Sequence, residues 1–280
     1  MQEFEGRVAV VTGAASGMGR AFAERFAQEG MKVVLADIEQ GPLDIAVTEL
    51  RQQEYDVIGV TADVSSDEQI RALAEQTIET YGKVHVLCNN AGVGGGGAGP
   101  IWEATENDWE WTFGVNFWGV VSGIRAFVPL ILEHGEGGHI INTASVAGLT
   151  RGDGIPLYSA SKHAVVSISE ALYTHLRNVD ESVSASVLCP GLVNTRIVES
   201  GRNRPADLGG TDFFDANAPK SPFALRLEQG HDPSFVAEIV LQGIRDQQFW
   251  LLTDEDFDDR IQARTDDIIG RRNWEPQALI

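Results

Sequence analysis

The chain has 280 residues, 43% of them hydrophobic, and a formal net charge of −20. That length suits one large α/β domain or two small ones, with apolar content ample for a core. The acidic balance repels nucleic acid, anionic lipid and acidic polymers, so no nucleic-acid or membrane partner is expected, and an anionic ligand must be held by local amide dipoles against the global field.

The first residues, MQEFEGR, lack a basic stretch followed by an apolar one, so no signal peptide is expected. Residues 7–12 then read as a strand and 17–29 as a helix. Residues 32–37 form the second strand, 42–52 the second helix, 57–62 the third strand, 67–81 the third helix and 84–89 the fourth strand. This alternation argues for a parallel sheet covered on both faces. Residues 106–133 read as a long helix interrupted by Gly114, Gly119 and Gly123, which implies close backbone packing, against another subunit for instance, or a bent helix. Residues 139–143, 183–189 and 249–253 complete seven strands, and 158–177 is a second long helix. The fold class expected is α/β, a single Rossmann-type doubly wound sheet of about seven parallel strands over 1–280.

Between 192 and 230 the rhythm breaks, and Pro205, Gly209, Gly210, Pro219 and Pro222 mark an expected lid. Asp232 and Pro233 then cap a helix running to about 245. The tail, 254–280, is charged and weakly helical. No apolar run approaches the ~20 residues of a membrane helix, so the cytoplasm is the expected compartment. Cys88 and Cys189 read as buried thiols, and the six histidines show no i, i+4 spacing, so no metal is expected.

Gly13, Gly17 and Gly19 follow the first strand and open a helix, a variant of the dinucleotide fingerprint in its required context. The glycines admit a pyrophosphate to the backbone, and the helix N-terminus supplies positive potential. Asp37 ends the second strand, where a carboxylate can bind the adenosine ribose hydroxyls and repel a 2′-phosphate. Ser16 stands in place of a basic residue, and Ile38 follows Asp37, so NAD is favoured over NADP. Tyr158 and Lys162 are four apart on one helical face. Tyrosine's ordinary pKa is about 10, and a neighbouring ammonium is expected to lower it, so that Tyr158 takes an alcohol proton while hydride leaves the carbon. Ser145 can hold the same oxygen.

These pieces, with Asp63-Val64, Asn89-Asn90-Ala91-Gly92, Asn116 and Pro190-Gly191, resemble the short-chain dehydrogenase/reductase superfamily in order from first strand to sixth. The resemblance implies that Asp63 and Val64 hold the adenine and that Asn90 lies near the adenosine-side ribose, with Ala91 and Gly92 flooring the cleft. It implies that Asn116 holds a water in a proton relay, that Lys162 binds the nicotinamide ribose, and that Val193 and Thr195 anchor the carboxamide. Met18 occupies a slot where the family often carries isoleucine. The expected cofactor-binding set is therefore Gly13, Ser16, Gly17, Met18, Gly19, Asp37, Ile38, Asp63, Val64, Asn90, Ala91, Gly92, Tyr158, Lys162, Val193 and Thr195. Asn116, Ser145, Tyr158 and Lys162 are the expected catalytic group.

The family also implies a homotetramer or homodimer built on the two long helices. Trp102, Trp109, Trp111, Trp118, Phe213, Phe214 and Phe223 are candidate pocket walls, suiting a hydrophobic or aromatic secondary alcohol and its ketone. Arg196, Arg202 and Arg204 can bind a carboxylate, though loop arginines are usually solvated. Four readings stand: an NAD-dependent alcohol dehydrogenase, an NADPH-preferring reductase, a non-catalytic dinucleotide-binding regulator, and an isomerase or epimerase on the same cofactor.

Overall fold

Short runs rich in valine, leucine and isoleucine become strands, buried on both faces in the centre of the sheet and partly exposed at its two edges. They are β1 (Val8–Thr12), β2 (Lys32–Asp37), β3 (Val57–Thr61), β4 (Val86–Asn89), β5 (Gly138–Thr143), β6 (Val183–Cys189) and β7 (Trp250–Leu252). In the computed structural model they form one sheet in the order β3-β2-β1-β4-β5-β6-β7, each neighbouring pair parallel. Residues 1–96, 100–152, 154–209 and 221–275 are described. Gly97, Phe213 and Phe214, the part of the expected lid at 210–220 and the tail end at 276–280 lie outside the described residues.

The helices are α1 (Gly17–Gln28), α2 (Gln40–Gln52), α3 (Asp67–Tyr81), α4 (Glu106–Phe113), α5 (Gly119–Glu133), α6 (Pro156–Val179), α7 (Pro222–Glu228), α8 (Pro233–Asp246) and α9 (Asp258–Gly270). Because strand side chains alternate, Ala9, Val11, Val33, Leu35 and Cys88 face α1, α2 and α8, where Phe22, Phe26 and Leu241 meet them. Val10, Val34, Leu87 and Ile140 face α3, α5 and α6, against Leu73, Phe127 and Leu176. Ser66 caps α3 by accepting from Gln69 N at 3.3 Å, and Asp232 caps α8 by accepting from Ser234 N at 2.8 Å.

The expected single helix over 106–133 is α4 and α5 joined by a π-helical turn, Gly114–Trp118. Two of its glycines approach neighbouring elements of the same chain closely. A Cβ on Gly119 would lie 2.9 Å from Val64 Cγ2, and one on Gly123 would collide with the Asn89 side chain. Asn89 in turn donates to Asn142 Oδ1 at 2.9 Å, and Asn142 donates to Ser169 Oγ at 3.0 Å, a buried polar thread from β4 through β5 to α6. The run is long and apolar enough to cross a membrane by length and composition, contrary to the expectation above. Its apolar side faces the sheet instead, with Phe127 and Ile131 fully buried.

The strand order reverses between β1 and β4, although the two strands are parallel. There the chain leaves in opposite directions and opens a crevice at the carboxyl ends of the strands, where ligands bind in such sheets.

Gly123→Val is expected to cost about 1–3 kcal/mol in urea unfolding, because the α5–β4 approach has no room for it. Gly41→Ala, in α2 with open space around its Cβ, is expected to add about 0.4–1 kcal/mol in the same measurement.

Candidate active site

The crevice is walled by the turn after β1. Gly13 (φ +67°) and Gly17 (φ +55°) take left-handed backbone that side chains disfavour. A Cβ on Gly13 would lie 2.9 Å from Ala91 Cα, one on Gly17 3.2 Å from Thr195 Cγ2, and one on Gly19 would collide with the Gly13 carbonyl. Ser16 precedes α1 without a side-chain capping bond, and no acidic residue occupies the helix's first turn. The first amides of α1 therefore face the cleft uncompensated, a fit for a pyrophosphate.

Thr12 ties the two sides of the switch point together. Its hydroxyl accepts from Asn90 N at 2.9 Å and Ala91 N at 3.1 Å and donates to Cys88 O at 3.3 Å. The Asn90 amide donates back to Thr12 O at 3.0 Å. Asn90 is thus a splice between β1 and β4 that also lines the cleft.

At the far end Asp37 Oδ2 accepts from Ala15 N at 2.9 Å and Oδ1 from Glu39 N at 3.0 Å. Burial pushes its carboxyl up from the ordinary value, and these two amides pull it back. Ile38, Asp63 and Val64 border the same end. Asp63 Oδ1 accepts from Ser65 N at 2.9 Å and Ser65 Oγ at 2.7 Å, which shapes the turn beneath.

At the near end lie the α6 groups. The Lys162 ammonium is 2% exposed and donates to Thr143 O at 2.8 Å, with Nζ 5.6 Å from the Tyr158 ring centroid. Tyr158 is partly exposed as a residue, yet its hydroxyl is desolvated. Burial pushes the phenol up to about 12, against a Ser145 hydrogen bond that lowers it. Burial likewise pushes Lys162 down to about 8. The expectation of a phenol acidified by the ammonium is not met: desolvation disfavours the charged forms of both groups, and Ser145 supplies the opposing effect at the phenol. Ser145 Oγ also accepts from Ala147 N at 3.1 Å, which orients it.

Asn116 lies behind these groups, fully buried in the π turn. Its Oδ1 accepts from Val93 N at 2.8 Å, and its Nδ2 donates to Val93 O at 3.0 Å and Ser161 Oγ at 3.1 Å. Both amide hydrogens are spent, so one Oδ1 lone pair is left for any water. Ser161 Oγ donates to Tyr158 O at 2.7 Å, so Asn116 clamps the loop after β4 to the turn carrying the phenol.

Met18, Ala91, Gly92 and Thr195 line the cleft as expected. The Val193 side chain sits in the core, and the bridge to His231 runs through Leu192 O and Asn194 N on either side of it. Of the described aromatic candidates, Trp111 alone lines the cleft. Trp102 is 82% exposed and Trp118 55% exposed, and Phe223 also faces outward.

Residues the sequence reading passed over complete the site. Thr143 supplies the carbonyl for Lys162, and Ser200 accepts from Gly94 N at 2.9 Å, joining the 3₁₀ turn 197–203 to the loop after β4. Two of the three loop arginines, Arg202 and Arg204, are shielded from solvent, while Arg196 stays exposed. Arg202 pairs with Glu39, Arg196 with Glu199, and Arg204 with Asp108 at 2.6 Å. The last pair is 2% and 3% exposed, and the Arg204 guanidinium also lies 5.3 Å over Trp111 and donates to Leu208 O at 2.7 Å. The helix start Thr105-x-x-Asp108 was legible as a capping box, but nothing local signals its partner 96 residues on.

Away from the cleft the fold gathers His85, His134 and Glu136. The ring nitrogens are committed: His85 Nδ1 accepts from Val8 N at 3.1 Å and Nε2 meets Glu136 Oε2 at 3.2 Å. His134 Nδ1 accepts from Glu136 N at 3.1 Å, and its Nε2 donates to Val84 O at 2.7 Å. A metal would have to displace a backbone amide from each imidazole.

Burial pushes the Asp108 carboxyl up, but the Arg204 and Thr105 hydrogen bonds more than offset this and hold it below the ordinary value. Its contribution is therefore complete above about pH 4 and lost as pH falls through the folded value. Asp108→Ala, which leaves the buried guanidinium without that partner, is expected to cost about 3–5 kcal/mol in denaturant unfolding near pH 7.

A family model described as short chain dehydrogenase matches residues 7–206. The chain is 37% identical over 262 residues to the 1-deoxy-11-beta-hydroxypentalenate dehydrogenase of Streptomyces exfoliatus, covering 94% of this chain and 88% of that protein. It is 34% identical over 204 residues to the 3beta-hydroxysteroid dehydrogenase 2 of Eggerthella lenta, covering 73% and 77%. The crystal structure of a short chain dehydrogenase/reductase from Burkholderia phymatum in complex with NAD superposes with a TM-score of 0.90 and 44% identity over 100% of both chains.

Proposed function

From the premise that this chain belongs to the short-chain dehydrogenase family, an oxidoreductase family interconverting alcohols and ketones, we propose an NAD(H)-dependent dehydrogenase of hydrophobic secondary alcohols. The observation that carries the reading is one continuous cleft, with Asp37 at one end, the glycine turn along its wall and the Tyr158–Lys162 helical turn at the other.

The glycine turn and the first amides of α1 hold the pyrophosphate, Asp37 the adenosine ribose, Asp63 and Val64 the adenine, and Lys162 and Thr195 the nicotinamide half. The bound dinucleotide supplies or takes up the hydride. Tyr158 Oη moves the proton of the substrate oxygen, and Ser145 Oγ holds that oxygen by hydrogen bonding. Lys162, pushed down to about 8, exchanges its own proton near working pH. With a water on the free lone pair of Asn116, it forms the relay that resets the phenol.

Trp111, Val93 and Val115 give the cleft apolar walls, which supports a hydrophobic substrate. The hydroxypentalenate and hydroxysteroid dehydrogenases among the relatives support the same class. The 3₁₀ turn 197–203, joined to Gly94 and Glu39, serves as the lid. A homodimer or homotetramer through α5 and α6 fits the exposed Trp118 in the π turn and Val179 at the end of α6.

A panel of alicyclic, aromatic and aliphatic secondary alcohols, followed at the NADH absorbance band, tests the reading. Tyr158→Phe is expected to lower kcat by about 10²–10⁴. Full activity in that variant means another group moves the proton, and no turnover by the wild type across the panel discards the activity. NADH is expected to outperform NADPH, and a reaction that consumes substrate without net cofactor change marks an epimerase. Alcohol oxidation needs the phenol to give up its proton, so its kcat/KM is expected to rise with pH. Ketone reduction needs the protonated phenol and is expected to decline over the same range, as parallel pH profiles in both directions would report.

A further inference from the structure

The cleft-lining lid carries a guanidinium to the adenosine end and a carboxylate there occupies it. Arg202 Nε donates to Glu39 Oε1 at 3.1 Å and its Nη2 to Oε2 at 2.6 Å, a two-pronged contact across the cleft mouth. Nη1 donates to Glu199 O at 2.9 Å, so the guanidinium is held on its lid side too. Glu39 stands two residues past Asp37, and its backbone N–H is the one Asp37 Oδ1 accepts. Both members of the pair line the cleft together with Asp37 and Ser16.

We propose that Glu39 is a second determinant of cofactor choice, because it sequesters Arg202, the guanidinium that the fold otherwise presents to a 2′-phosphate. This rests on the NAD(H) reading above. The paired guanidinium has the fork geometry that suits phosphate oxygens, and its bidentate partner leaves that fork filled. An ion pair so near the surface contributes little to stability, so its consequence lies in what it withholds from the ligand. Removal of the Glu39 charge leaves Asp37 alone to repel the phosphate while an arginine becomes available to attract it. The lid's Arg196 and Asn203 also bear on the Glu39 carboxylate and hold it in its ionised form. Selectivity on this account has two layers: Asp37 acts on the ribose, and Glu39 acts as a positioning residue through Arg202.

The test compares dissociation constants for NADH and NADPH, by fluorescence titration, in wild type, Glu39→Gln, Arg202→Gln and the double variant. Glu39→Gln is expected to bind NADPH at least tenfold tighter than wild type, with NADH changed less than threefold. The double variant is expected to return NADPH affinity to the wild-type value. Arg202→Gln alone is expected to leave it unchanged, since a masked guanidinium contributes nothing to lose. An unchanged NADPH-to-NADH ratio in Glu39→Gln overturns the proposal. So does a gain that survives the loss of Arg202, or weaker NADPH binding in the single Arg202 variant. A wild type that prefers NADPH would overturn the NAD(H) reading instead, a separate result from the variants' shift.

Discussion

A buried ammonium must find an oxygen, and the whole near end of the cleft is arranged around that need. Lys162 reaches the Thr143 carbonyl at 2.8 Å because β5 ends there. The carbonyls at a strand's carboxyl end are open where the ladder stops, so the sheet itself provides the acceptor. With Nζ fixed on that carbonyl, α6 is fixed in rotation, and Tyr158 one turn earlier is fixed with it. Burial is what couples these groups: it makes their charged forms costly, so each depends on a few hydrogen bonds, and small changes in those bonds redistribute the proton.

The switch point and the π turn use the same economy of short polar side chains. Thr12, Asn90 and Asn116 each spend their capacity on backbone groups. In doing so they fasten the loop after β4 to β1 and to the π turn. The glycine turn completes the wall because β1 must pass within contact of Ala91 and of α1's first residues. Across the top, the lid is pinned by ion pairs of different depth. Arg204–Asp108 is inaccessible to water, whereas Arg202–Glu39 lies at the rim. The deep pair anchors the segment, and the shallow one stands where a ligand's charge can compete with it.

Much of this was legible in one dimension. The strands are short apolar runs, and β2 and β6 fall at their expected ends, 32–37 and 183–189. Apolar runs identify such elements because both faces of the central strands are covered. The nucleotide turn and the Tyr158–Lys162 pair were legible for a similar reason, since each is a local geometry written in adjacent residues. The glycines at 114, 119 and 123 signal an interruption of the helix at 106–133, but its form is not legible, because a π turn changes one hydrogen-bond step and leaves composition alone. The lid arginines read as solvated because their partners, Glu39 and Asp108, are distant in sequence.

The amino-acid order by itself determined the parallel sheet, the phosphate turn and which side chains can carry a proton, since these depend on contacts within a few residues. Tertiary structure alone decided the state of those side chains. Whether Tyr158 is acidified or kept protonated, and whether an arginine is free or occupied, depends on desolvation and on partners brought from remote segments. Those quantities belong to the packed interior, and no local pattern encodes them.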